Sequence, residues 1–100
     1  MGHDKIIDSK GNEIHIDLEL HPGEVLADEL AARKITKSAF AIKIGMYPSQ
    51  LSDIIKAKRN VTAYVAVKLE TELKIPAEFW LGLQMDFDLY HERNKLKQTA

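Results

Sequence analysis

The chain contains no cysteine in its 100 residues, which excludes a disulfide framework and any cysteine-ligated metal centre. It has only 3 prolines and 5 glycines, too few for a low-complexity or collagen-like sequence. No apolar run approaches the roughly 20 residues that a membrane helix needs. The acidic N-terminal third also lacks the basic-then-apolar form of a signal peptide. These absences lead to the expectation of a soluble, intracellular protein. The formal net charge is −1, which argues against a generic polycation that coats nucleic acid by charge alone. With 45% hydrophobic residues, the composition is that of one folded domain with a modest core.

What the total charge conceals is its distribution. Residues 1–32 carry 2 basic and 8 acidic side chains, a balance of −6. Residues 33–59 carry Arg33, Lys34, Lys37, Lys43, Lys56, Lys58 and Arg59 against Asp53 alone, giving +6. The remaining 5 basic and 6 acidic residues give −1. The positive segment coincides with the most informative pattern in the chain. Thr36 is a small polar cap before Phe40, Ala41 and Ile44, which share one helical face. Gly45 then supplies the residue that most easily takes a left-handed conformation. Leu51, Ile54 and Ile55 follow at i, i+3, i+4 and predict a second buried stripe. Two short helices joined at a glycine form a helix-turn-helix, whose second helix lies in the DNA major groove. The bland alternative is a solvated, lysine-rich helix surface.

The rest of the sequence completes an all-α domain with an appendage. Lys5 to Asp8 and Glu13 to Ile16 are short β-prone runs that could pair as a hairpin across Ser9-Lys10-Gly11-Asn12. Pro22 fits the first turn of a helix to about Lys34, with Val25, Leu26, Leu30 and Ala31 inward. Thr62 caps a fourth helix through about Leu73, with Val65, Ala66, Leu69 and Leu73 on its buried side. Pro76 opens a fifth, containing Phe79, Trp80, Leu83 and Phe87. The expected organisation is an acidic arm over residues 1–20, a five-helix domain over 21–92, and a polar, fraying tail over 93–100.

Within this frame each candidate residue has a definable task. A recognition helix from Pro48 to about Ala57, with its apolar stripe inward, turns Ser49, Gln50, Ser52 and Asp53 outward or sideways. Gln50 can pair bidentately with adenine, serine can bond several base edges, and Asp53 can accept from cytosine N4. Asp53 could instead simply balance Lys56 at i, i+3. Lys37, Lys43, Lys56, Lys58 and Arg59 suit phosphate contacts, which set register rather than sequence. Because one such helix reads only a few base pairs, a homodimer is expected. Its interface is placed on the fifth helix, among Trp80, Leu83, Phe87 and Leu89. His15, His21 and His91 form no i, i+4 pair, so no metal or other cofactor is expected. The carboxylates are spread without an adjacent nucleophile, and no enzyme is read here.

The order of segments resembles a known family. His21-Pro22-Gly23-Glu24-Val25-Leu26, the central helix pair, the loop from Ala57 to Thr62, and Pro76-Ala77-Glu78-Phe79-Trp80-Leu81-Gly82-Leu83-Gln84 together resemble the HigA-type antitoxins. That family belongs to the lambda-repressor-like, or Xre, helix-turn-helix superfamily. The resemblance spans His21 to about Leu89, and its opening and closing motifs are more specific than the helix-turn-helix itself. It implies a five-helix lambda-repressor-like DNA-binding domain that represses its own operon from operator DNA. It also implies neutralisation of a HigB-type toxin, an mRNA endonuclease. A cationic toxin surface would complement the acidic arm, which makes Asp4, Asp8, Glu13, Asp17 and Glu19 candidate toxin contacts. Two departures stand out: the long segment before His21, and Tyr47-Pro48 where a small hydroxyl cap is more usual. Two other readings remain: a standalone Xre-type regulator without a toxin, and a protein-interaction module with a vestigial helix-turn-helix.

Overall fold

A computed structural model of the protein describes residues 5–7, 13–15 and 20–99, with side chains from 20 to 97. Two short strands, β1 (Lys5–Ile7) and β2 (Glu13–His15), pair antiparallel with Ile6 opposite Ile14. The expected hairpin is thus present in its paired rungs; its turn lies outside the described residues. Five helices follow: α1 (Pro22–Ala32), α2 (Lys37–Lys43), α3 (Pro48–Ile55), α4 (Ala63–Leu73) and α5 (Ala77–Thr99).

Local chemistry sets the helix ends where the sequence places its caps. Thr36 Oγ1 accepts from the Ala39 N–H at 3.2 Å, and Thr62 Oγ1 from the Val65 N–H at 3.3 Å. Three helices close with the same device: a bond from the third residue past the helix back to its last turn, through a left-handed residue. The bonds run from Ile35 N–H to Leu30, from Met46 N–H to Ala41 and from Lys58 N–H to Asp53, at 2.8–2.9 Å. The left-handed residues are Lys34, Gly45 and Ala57, with φ of 59°, 74° and 62°. A Cβ on Gly45 would meet nothing within 4 Å, so the glycine answers a backbone requirement and not a lack of room.

The stripes read from the sequence meet in one core. Leu26, Leu30, Phe40, Ala41, Ile44, Leu51, Ile54, Leu69 and Leu73 are all buried, and Ile55 packs against them from the edge. Burying a leucine or phenylalanine completely is worth roughly 1.5–3 kcal/mol, so this cluster carries most of the fold's stability. Ala31, expected inward, is exposed, because it lies a further 100° round the helix from Leu30. α1 ends at Ala32 rather than Lys34, whose left-handed backbone cannot continue it.

α5 also departs from expectation. Its helix runs on through Thr99, with no glycine or proline after Gly82 to stop it and with a Lys95–Glu92 ion pair at 3.0 Å along it. Trp80 is wholly buried against the other helices and is a core residue. A side chain enclosed within its own chain cannot touch a second one, so Trp80 leaves the set of dimer contacts. Side chains from distant segments tie the helices together. Arg33 Nη2 donates to the Leu73 carbonyl at 2.8 Å, closing the end of α4, while its Nε reaches Glu29 at 3.3 Å. Glu70 of α4 accepts the Ala77 N–H at 2.6 Å, which caps the start of α5.

Candidate nucleic-acid interface

α3 is held by both α1 and α2, and the contact with α1 is made by backbone. Gly23, in the first turn of α1, lies against the end of α3. A Cβ there would overlap the Ile54 carbonyl oxygen and stand 2.7 Å from the Ile54 carbonyl carbon and 2.9 Å from Ile55 Cα. Only a glycine permits this approach. His21 caps the same turn, its Nδ1 accepting the Gly23 N–H at 2.9 Å while Glu24 returns a carboxylate to the His21 N–H at 3.1 Å. The pair is a capping box with histidine in the place usually held by serine or threonine. The His21 ring is buried and stands edge-on to Phe87 of α5, with centroids 4.8 Å apart. Burial lowers its pKa from the ordinary 6.5, outweighing the opposite pull of Asp88 and Glu24. The Nδ1 contact requires the neutral ring, with the proton on Nε2.

A second clamp holds the loop that leaves α3. Gln84 of α5 is buried; its Oε1 accepts the Val61 N–H at 2.7 Å, and its Nε2 donates to Asn60 at 3.2 Å and Asp88 at 3.0 Å. Sequence reasoning missed all three of these positioning residues. The His21–Glu24 spacing and a glutamine on an otherwise apolar face were the available signals. Nothing in the sequence marks Gly23 as a point of contact with α3.

The candidate reading residues lie together on α3, though not all are free. Ser49 is exposed, and Gln50, Ser52 and Asp53 are half-buried. Gln50 Oε1 accepts the Tyr47 N–H at 3.1 Å, so the glutamine completes the helix start that Tyr47 does not cap with its own side chain. Tyr47 itself is 75% exposed at the head of the helix. Asp53 pairs with Arg59 at 3.9 Å and not with Lys56, because the chain turns back at Ala57 and brings Arg59 over the helix end. Among the phosphate candidates, Lys37, Lys56 and Lys58 are exposed. Lys43 lies 3.3 Å from Glu72 of α4, so part of its charge is already met within the chain.

Of the proposed dimer residues, Leu83 and Phe87 are half-buried and Leu89 is 40% exposed. The side chains of Asp4, Asp8, Glu13, Asp17 and Glu19 lie outside the described residues. Among the described residues no group of three or more histidine, aspartate or glutamate side chains could hold a metal ion, and no helix is long and apolar enough to cross a membrane.

Five helices, with the second and third joined by a tight left-handed turn and the third anchored by the first, define a lambda-repressor-like helix-turn-helix domain. No protein-family model matches the chain. It is 32% identical to virulence-associated protein I of Dichelobacter nodosus, over 70% of this chain and 66% of that protein's length. It is 37% identical to antitoxin HigA-1 of Vibrio cholerae, over 78% of this chain and 74% of the relative. The solved structure of Pseudomonas aeruginosa antitoxin HigA with its higBA promoter superposes with a TM-score of 0.76 at 28% identity, covering 81% of this chain and 89% of that one. The chain belongs to the HigA family of antitoxins. None of these relatives is named for a reaction.

Proposed function

We propose that the protein is a cytoplasmic antitoxin that binds operator DNA through α3 as a homodimer, represses its own operon and neutralises a HigB-type toxin by direct binding. The coincidence of the +6 segment with an exposed helix-turn-helix carries the DNA-binding part. Phosphate contacts respond to local charge, and here that charge stands beside the helix that would enter the groove. The similarity to a HigA bound to promoter DNA supports the same reading. Lys37, Lys56 and Lys58 hold phosphates, with Lys43 and Arg59 contributing after partial release from Glu72 and Asp53. Ser49, Gln50, Ser52 and Asp53 face the bases.

Leu83, Phe87 and Leu89 of α5 form the dimer contact, since Leu89 is exposed and the other two are only partly covered. Sedimentation at high micromolar concentration tests this, and a strict monomer overturns it. The acidic arm, with Asp4, Asp8, Glu13, Asp17 and Glu19, captures the toxin. Gel shifts with the DNA upstream of the gene, together with co-purification of the product of the neighbouring gene, test the two activities separately. Deletion of residues 1–18 is expected to leave DNA binding intact and to slow toxin association. Specific DNA binding without any captured neighbour would leave a standalone regulator instead.

A further inference from the structure

α3 starts with a hydrogen bond that commits one end of a side chain. A helix start leaves its first N–H groups unpaired, and Pro48 has none to offer. The Tyr47 N–H is met by Gln50 Oε1 at 3.1 Å, three residues on. Pro48 also confines Tyr47 to the extended conformation seen, with φ of −71° and ψ of 143°, so the direction of this N–H is fixed. The Gln50 amide is therefore oriented with its oxygen toward its own helix start. Its Nε2 bears two hydrogens and no acceptor, and makes no hydrogen bond among the described residues.

We propose that Gln50 reads DNA as a donor only, and that the base it faces is guanine. The inference deepens the DNA-binding reading above and rests on it. Bidentate recognition of adenine needs Oε1 to accept from N6 while Nε2 donates to N7, with both atoms on the edge facing the base. While Oε1 faces the Tyr47 N–H, that edge is turned toward the helix start. The remaining NH₂ matches acceptors. Guanine presents two of these, O6 and N7, with no donor between them. Thymine presents one, O4. Adenine sets its N6 donor against the amide, and cytosine presents a donor alone. The order of preference is guanine, thymine, adenine, cytosine.

Selection of binding sites from randomised duplex DNA tests this with the full chain and with Gln50→Glu and Gln50→Ala. Glutamate keeps an oxygen for the Tyr47 N–H and suits a helix N-terminus, but turns an acceptor toward the groove, the match for cytosine N4. The wild-type chain is expected to favour guanine over adenine roughly tenfold at one position of each half-site. Gln50→Glu should switch that position to cytosine, and Gln50→Ala should level it, with other positions unchanged and melting temperatures close to wild type. A merely structural role for Gln50 would not move a base preference. Wild-type preference for adenine at the position that Gln50→Ala levels would overturn the donor-only reading and leave DNA binding standing. If Gln50→Ala levels no position, Gln50 is not a reader. No selected sequence with the wild-type chain would overturn both this inference and the DNA-binding reading beneath it.

Discussion

Where α3 meets α1, at Gly23, two backbones lie so close that no side chain fits between them. Where α3 meets solvent, Ser49 is exposed and Gln50, Ser52 and Asp53 are half-covered, held by nothing more than a cap and a weak ion pair. The first region fixes where the helix is, and its tolerance for substitution is nearly nil. The second decides what the helix can touch: Gln50 is oriented by its bond to the Tyr47 N–H, while Ser49 is exposed and the Asp53–Arg59 pair is long enough to exchange at small cost. Positioning and the proposed reading are thereby separated within one eight-residue helix.

The largest effect is expected at Gly23. Gly23→Ala would set a methyl against backbone atoms of Ile54 and Ile55, which no rotamer change relieves. A loss on the order of 3 kcal/mol is expected, or roughly 12–24 °C in melting temperature. An unchanged melting temperature would mean that α1 can slide freely past α3. Next in size is Gln84→Ala, which strands the buried Val61 N–H and is expected to cost ~2–3 kcal/mol in denaturant unfolding. Serine at Ser49, by contrast, should accept alanine within about 0.5 kcal/mol.

His21 makes the start of α1 sensitive to pH. Its folded-state pKa is lowered, so the unfolded chain takes up the proton first. The stability it contributes is full above about pH 6.5 and falls as pH drops below that value, until the folded ring is itself protonated. The slope can reach at most about 1.4 kcal/mol per pH unit. His21→Asn keeps a capping acceptor and should flatten this part of the profile; an unaltered profile would place the titration elsewhere. The smallest expected effect separates the lysines. Lys56→Ala should lower the salt-dependence slope of DNA binding by roughly 0.9, the value for one phosphate contact. Lys43→Ala should lower it less, because Glu72 already competes for that charge.

Most of the helical framework was legible in the sequence, because caps and stripes are local. Thr36, Gly45 and Thr62 mark ends through bonds or angles within a few residues, and Leu51 and Ile54 repeat at the helical period. Gly23, Gln84 and Arg33 were not legible in the same way, since each acts on a residue chosen by the packing of another helix. The same division runs through the candidate site. That residues 33–59 are basic is a property of the sequence; that Lys43 meets Glu72 and Asp53 meets Arg59 depends on which element lies opposite. Trp80 was misplaced for a related reason: helical spacing says which aromatics share a face, but not whether that face is covered by the chain or by a partner.

Arg33 sits in the most basic part of the sequence, yet its guanidinium is engaged within the chain and joins the end of α1 to the last carbonyl of α4, 40 residues on. Such a bond couples two openings that would otherwise occur independently. Fraying the end of α4 breaks this bond in addition to the helix's own, so the opening of the two helix ends is expected to be coupled. In hydrogen exchange, the amides of these two turns would lose protection together and at one free energy. Arg33→Met would split that single event into two.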